Sequence, residues 1–311
     1  MEEHAAEWWK MLQIPDSYQY QKTIELICKY EFEKFDAELY RQANGPDTFQ
    51  RVLKVFPKNC SRPLPAVAVP FYRPEKMIGF ELDTGEILQN CIGIAMMAHL
   101  AQRGFIAASA DAYHLTYVKS DLDREDFSRW KDCGEALTRD YPEWCGMGKL
   151  LADTRLLIDT LDSDPRVDSS RIGIAGHSLG GKMAFYAGCL DPRIKAILAS
   201  DFGIGWDQTN WNDIWYWGDR VEKLKKAGLE HSQLLTMSGG KPFFLLAGKY
   251  DNEESRKIML RAHGYETHPE YLGFLNHATG HRPPPDALAA GYDFLERHLK
   301  LNCNTKNRSR F

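Results

Sequence analysis

The chain lacks the marks of several protein classes. It has no C-x-x-C pair, and its seven cysteines (Cys28, Cys60, Cys91, Cys133, Cys145, Cys189 and Cys303) are an odd number. That argues against a disulfide framework or a zinc site and fits reduced thiols. No apolar run approaches the length of a membrane span. Basic charge is not in excess: the net charge is -4 and the pI near 6.2, which argues against nucleic acid as a partner. The short basic tail at 304–311 reads as a frayed, solvated end. Internal repeats and low-complexity tracts are absent. Met1-Glu2-Glu3-His4 is acidic and no apolar segment follows it, so the expectation is a cytoplasmic protein with no membrane partner. For the same reason the glycosylation-pattern matches Asn59-Cys60-Ser61 and Asn307-Arg308-Ser309 are read as chance.

What is present is 311 residues, 43% of them hydrophobic, enough to build the core of one large domain or two modest ones. The stretch that organises them is Arg171–Gly181. Ile172, Ile174 and Ala175 suit a strand buried on both faces. Gly176-His177-Ser178-Leu179-Gly180 is a G-x-S-x-G match, and Lys182–Leu190 reads as a helix. Strand, tight turn and helix are the context in which a serine becomes an exposed nucleophile on a sharp turn. Glycines flank it because the strained backbone leaves no room for side chains. The N–H of Leu179 then points at a developing oxyanion near the positive end of the helix.

Residues 1–45 are expected to be helical. Ile24, Cys28, Phe32, Phe35 and Leu39 step by four, four, three and four, which stacks them on one helical face, and Asn44-Gly45-Pro46 punctuates the end. This extension suits packing, on the main domain or against a second subunit in a homo-oligomer. From Thr48 strands are expected at Phe49–Phe56 and Leu64–Tyr72, a helix at Ile87–Gln102 and a strand at Phe105–Ala110. Residues 115–147 read as loops with short helices, and Lys149–Leu161 as a helix. Strands follow at Ile194–Ser200, Pro242–Ala247 and Tyr271–Leu275, and a helix at Pro285–Leu299. This alternation points to an α/β protein with a parallel sheet between helices. One insertion, 203–238, interrupts it. It carries Trp206, Trp211, Trp215 and Trp217, half of the chain's eight tryptophans. It reads either as a cap supplying an aromatic wall for a small-molecule substrate or as an insertion burying its own aromatics.

A nucleophilic Ser178 needs a base and a carboxylate to orient it. Asp251 stands just past a buried strand in Gly248-Lys249-Tyr250-Asp251 and is the first choice for the acid, with Asp201 the rival past the preceding strand. His277 and His281 are the base candidates. Gly280, which permits close approach, and the prolines that stiffen the following loop favour His281. His177 is expected to point away from the nucleophile. A second oxyanion donor should come from the loop after Leu64–Val69, through the N–H of Phe71 or Tyr72 or the Tyr72 phenol.

Upstream of the elbow stands Asp164-Pro165-Arg166-Val167-Asp168-Ser169-Ser170-Arg171-Ile172. With Gly248–Asp251 and Gly280-His281, it makes residues 48–303 resemble the α/β-hydrolase superfamily. The similar branch holds dienelactone-hydrolase-like, acetyl-xylan-esterase-like and prolyl-oligopeptidase-like members. The resemblance implies an α/β-hydrolase fold with a mostly parallel eight-stranded sheet flanked by helices, a Ser178–His281–Asp251 triad and no metal or organic cofactor. Two departures stand out. Pro70-Phe71-Tyr72 replaces the His-Gly pair of many esterases, and the elbow holds serine where dienelactone hydrolases hold cysteine. The expected organisation is a helical extension (1–45), a hydrolase domain (46–303) with the insertion, and the basic tail. The expected activity is serine-dependent cleavage of carboxylic esters through an acyl-enzyme. The alternatives are a small peptidase or amidase, an acyltransferase, and a non-catalytic binding protein of the same fold.

Overall fold

The computed structural model describes residues 2–59, 62–119 and 126–300, so the basic tail, Cys60 and Cys303 lie outside the described residues. The strands are β1 (Ile24–Glu31), β2 (Phe35–Ala43), β3 (Phe49–Pro57), β4 (Leu64–Ala68), β5 (Ile106–Ala110), β6 (Val167–His177), β7 (Ile194–Ser200), β8 (Phe243–Ala247) and β9 (Leu272–Asn276). They form one sheet in the order β1-β2-β3-β5-β4-β6-β7-β8-β9. β1, β2 and β3 pair antiparallel, as do β3 and β5, and every pairing from β5 to β9 is parallel. The helices are α1 (Glu2–Leu12), α2 (Met96–Gln102), α3 (Tyr113–Thr116), α4 (Phe127–Asp140), α5 (Gly146–Asp162), α6 (Leu179–Leu190), α7 (Arg220–Lys226), α8 (His231–Met237), α9 (Glu253–Met259) and α10 (Pro285–Lys300). None of the described helices is long and apolar enough to cross a membrane.

The parallel strands are apolar on both faces because both faces are covered. In β4, Ala66 and Ala68 join the core beneath α5 and α6, while Val67 points into the other core, against α2 and α10. β7 divides the same way, with Ile197 and Ala199 on one face and Ala196 and Leu198 on the other. Because the side-chain period is two, each strand contributes to both cores.

Three expectations need correction. Residues 24–43 form the β1–β2 hairpin, not a helix, so the extension is only α1 followed by two strands and the sheet has nine strands rather than eight. Phe35, Ala37 and Leu39 are buried at every second position, whereas Cys28 is exposed and Ile24 and Phe32 only half-buried. The spacing by four was a coincidence of two strands, and burial at period two decides the structure. The helix expected at 87–102 begins only at Met96; Ile87 bridges to Phe80, and 88–91 form a turn. Within 115–147 lies the fourteen-residue α4, whose first turn is capped by Asp126 accepting the Arg129 N–H at 3.1 Å.

Candidate active site

The G-x-S-x-G pattern is set by sterics. Ser178 has φ 56° and ψ −117°, a positive-φ conformation that is costly for a non-glycine residue. A Cβ on Gly176 would lie 2.0 Å from the Gly180 carbonyl oxygen, and one on Gly180 would lie 2.2 Å from the Pro70 oxygen. The Ser178 N–H donates to the Ser200 carbonyl at 2.9 Å, tying the strained residue to the end of β7. The surrounding packing, rather than the serine, holds the turn.

Beside the elbow serine, His281 Nε2 lies 3.0 Å from Ser178 Oγ, and its Nδ1 lies 2.7 Å from Asp201 Oδ2. The acid at the imidazole is therefore Asp201, not Asp251. Asp201 follows β7 directly, is fully buried, and accepts the N–H groups of Gly248 (3.1 Å), Lys249 (3.1 Å), Tyr250 (2.8 Å) and Asp251 (2.9 Å). Burial pushes this carboxyl up, but His281 and the backbone donors outweigh it and hold it below its ordinary value. Being ionised, Asp201 can only accept, so the Nδ1 proton lies on His281 and the Nε2 lone pair faces the serine hydroxyl.

Asp251 is turned the other way. Its carboxylate accepts the N–H groups of Gly203 and Ile204, both at 2.8 Å, and the Ser255 hydroxyl at 2.8 Å. Each aspartate thus caps the loop that carries the other. Two acids past the ends of adjacent strands look alike in sequence, and only the direction of each side chain separates them.

His177 packs behind His281, with ring centroids 4.6 Å apart, and its Nδ1 meets Ser200 Oγ at 3.1 Å. Burial, reinforced by His281, pushes its pKa down to about 3, so it stays neutral. His277 is not brought to Ser178; it bonds Thr279 Oγ1 at 2.8 Å and lies against Gly248. The N–H of Leu179 opens α6, and the Pro70–Phe71 loop lies against Gly180. Among the described residues none of the Leu179, Phe71 and Tyr72 N–H groups has an acceptor, so each is free for a ligand oxygen. Tyr72 stacks on Trp130 (4.4 Å, 14° between planes), and burial pushes its phenol up, keeping it protonated.

A cavity of about 630 Å³ opens over Ser178 and His281, walled by Tyr72, Phe127, Trp215, Tyr216 and Tyr250, with Lys182 in its lining. Of the four tryptophans expected at the substrate, only Trp215 reaches it. Trp211 and Trp217 are buried, and with Trp206 they pack around Trp8 and His231. The insertion therefore buries most of its aromatics, as one of the two readings expected, and places Trp215 and Tyr216 in the cavity lining. Phe127 and Lys182 were missed. Lys182 could have been found as the lone charge in Leu179–Leu190, one turn after Ser178. A larger groove of about 840 Å³ along α9 and β9 lies away from Ser178 and His281. Among the described residues no cluster of three His, Cys, Asp or Glu could hold a metal ion.

The dienelactone hydrolase family model matches residues 87–214, from before α2 to within the insertion. A glucuronoyl esterase from Solibacter usitatus superposes with a TM-score of 0.70 at 14% identity, covering 96% of this chain and 91% of its own. A CE15 glucuronoyl esterase from Teredinibacter turnerae T7901 gives 0.67 at 17% identity, covering 95% and 83%. An acetyl xylan esterase from Paenibacillus sp. R4 gives 0.62 at 17% identity, covering 96% and 93%. At such identities the likeness establishes the shared fold. No curated protein sequence matches the chain significantly.

Proposed function

We propose that the chain is a member of the α/β-hydrolase superfamily, as its fold and the dienelactone hydrolase family match over residues 87–214 suggest, and that it hydrolyses carboxylic esters with Ser178 as nucleophile. The observation that carries this reading is the line Ser178 Oγ–His281 Nε2–Asp201 Oδ2, at 3.0 and 2.7 Å, on the floor of a cavity large enough for a small ester. His281 takes the serine proton as Ser178 attacks the acyl carbon. It then delivers that proton to the leaving alcohol, while Asp201 holds the imidazolium. The N–H of Leu179 and that of Phe71 or Tyr72 receive the oxyanion, each worth on the order of 3 kcal/mol of transition-state stabilisation. Water, activated by the same histidine, frees the acyl group.

The test is turnover of p-nitrophenyl acetate and butyrate by the wild type and by Ser178→Ala, His281→Ala and His277→Ala. Loss of about a thousandfold or more in the first two, with His277→Ala close to wild type, is expected. An unchanged rate in Ser178→Ala would remove the nucleophile and the reading with it.

A further inference from the structure

Part of the cavity lining is polar and is not used by the proposed ester cleavage. Lys182 sits one turn along α6 from the nucleophile, its N–H bonded to the Ser178 carbonyl at 3.1 Å. Its side chain is 3% exposed and lines the cavity. Nζ lies 3.6 Å from the centroid of the Trp211 ring and 4.7 Å from that of Tyr216, and it donates one hydrogen bond, to Thr209 Oγ1 at 2.7 Å. No other described residue accepts from it. The Thr209 hydroxyl in turn donates to Asn210 Oδ1 at 3.0 Å, and Asn210 Nδ2 donates to Asp213 Oδ2. All four residues line the cavity, and the chain of donors runs in one direction, from the amine to the carboxylate.

At its two ends this chain leaves complementary groups unspent. Lys182 keeps donors with no acceptor, and Asp213 Oδ1 has no donor among the described residues. A buried amine with spare protons calls for an oxygen acceptor. Burial pushes Lys182 below the ordinary lysine value against the pull of Asp251 and Asp213, and an oxygen acceptor beside it would favour the protonated amine. A carboxylate would serve the amine but would meet the charge of Asp213. A hydroxyl serves both, accepting from Lys182 and donating to Asp213, and the aromatic faces of Tyr216 and Trp215 cover its carbon skeleton.

We infer that Lys182, Thr209, Asn210 and Asp213 form a subsite for a hydroxyl-bearing part of the substrate, in preference to a plain alkyl chain or a carboxylate. This rests on the ester-hydrolase reading and adds the substrate class to it. The hydroxyl can stand on the alcohol side of the ester, as in a polyol ester, or on the acyl side, as in a hydroxy-acid ester.

Matched pairs separate the two sources. Glycerol monoacetate is compared with ethyl acetate for the alcohol side, ethyl 3-hydroxybutyrate with ethyl butyrate for the acyl side, and monoethyl succinate supplies the carboxylate. The expected result is that kcat/KM favours the hydroxylated member of at least one pair by tenfold or more. Lys182→Met and Asp213→Asn should each shrink that ratio to within about twofold of unity, chiefly through KM. The proposal is overturned if neither pair shows a preference, if the preference survives both substitutions, or if monoethyl succinate is the best substrate. Calorimetric titration of Ser178→Ala with the same esters reads the subsite without turnover. Tighter binding of the hydroxylated esters there, with no hydrolysis by the wild type, would sink the esterase reading and leave the subsite standing. Equal binding within each pair would sink the subsite.

Discussion

Asp201 and Asp251 share a chemistry but not a task, and the difference lies in what each oxygen touches. Asp201 Oδ1 takes three backbone N–H groups, leaving Oδ2 to His281 and Lys249. In Asp201→Asn the amide oxygen fits the Oδ1 position, so the NH₂ faces His281 Nδ1. The imidazole then keeps its proton on Nε2 and can no longer accept from Ser178. We expect kcat for p-nitrophenyl acetate to fall by about 10⁴-fold, the scale of the same exchange in a serine protease triad. Asp251→Asn instead puts an amide against the Gly203 or Ile204 N–H in a fully buried site. It should cost about 1–3 kcal/mol of stability and far less of kcat. Thermal unfolding and steady-state kinetics on both variants decide the matter. If Asp251→Asn loses more kcat than Asp201→Asn, the two roles are reversed.

At the scale of elements, α1 matters more than its length suggests. Trp8 is fully buried, stacks on Trp206 (6.1 Å, 19°), meets the edge of Trp217 and donates from Nε1 to Gln233 at 3.2 Å. It joins the first helix to the insertion that walls the cavity. Trp8→Ala should cost about 3–5 kcal/mol, the usual range for a deleted core aromatic, with a lower denaturation midpoint in urea. A cost below about 1 kcal/mol would mean that α1 is not docked there.

What was legible in the chain follows the same scale. The buried parallel strands and the helices α5, α6 and α10 announce themselves, because a strand covered on both faces is a short apolar run with glycine or proline at its ends. The elbow was legible because its glycines answer a backbone need, shown by the contact between Gly180 and Pro70. The β1–β2 hairpin was not, because β1 is largely exposed and carries no clean alternation, so a spurious four-residue spacing outweighed it. The partner of His281 was legible only as a pair of rivals: both aspartates follow a strand, and loop direction is not written in spacing. The polar wall at Lys182 was hidden because its members lie on α6 and in the insertion and meet only in the folded chain.

Across the whole molecule, the net charge of -4 is mild, but the folded chain hides proton acceptors that the unfolded chain exposes. His114, His177 and His231 are fully buried, and burial pushes each down to about 3 from an ordinary value of 6.5. Between those limits the unfolded state binds up to three protons that the folded state refuses, so stability rises with pH there and falls as pH drops. Each histidine contributes up to about 1.4 kcal/mol per pH unit, and the three together about 4 kcal/mol per unit at the steepest. Moving from pH 6.5 to pH 5 would then remove about 4–6 kcal/mol, much of the stability of an ordinary domain. We expect the midpoint of thermal unfolding to stay level from pH 7 to 8 and to drop steeply below about 6. His114, whose Nδ1 has no partner among the described residues while Nε2 faces the Trp215 carbonyl at 3.4 Å, offers the simplest check. His114→Gln should lower the midpoint at pH 7.5 yet flatten its acid slope by about a third, because one titrating group is gone from the difference. An acid slope unchanged by that substitution would show that His114 takes up its proton in the folded state, and its burial between Tyr113, Trp130 and Tyr216 would have to open to let it.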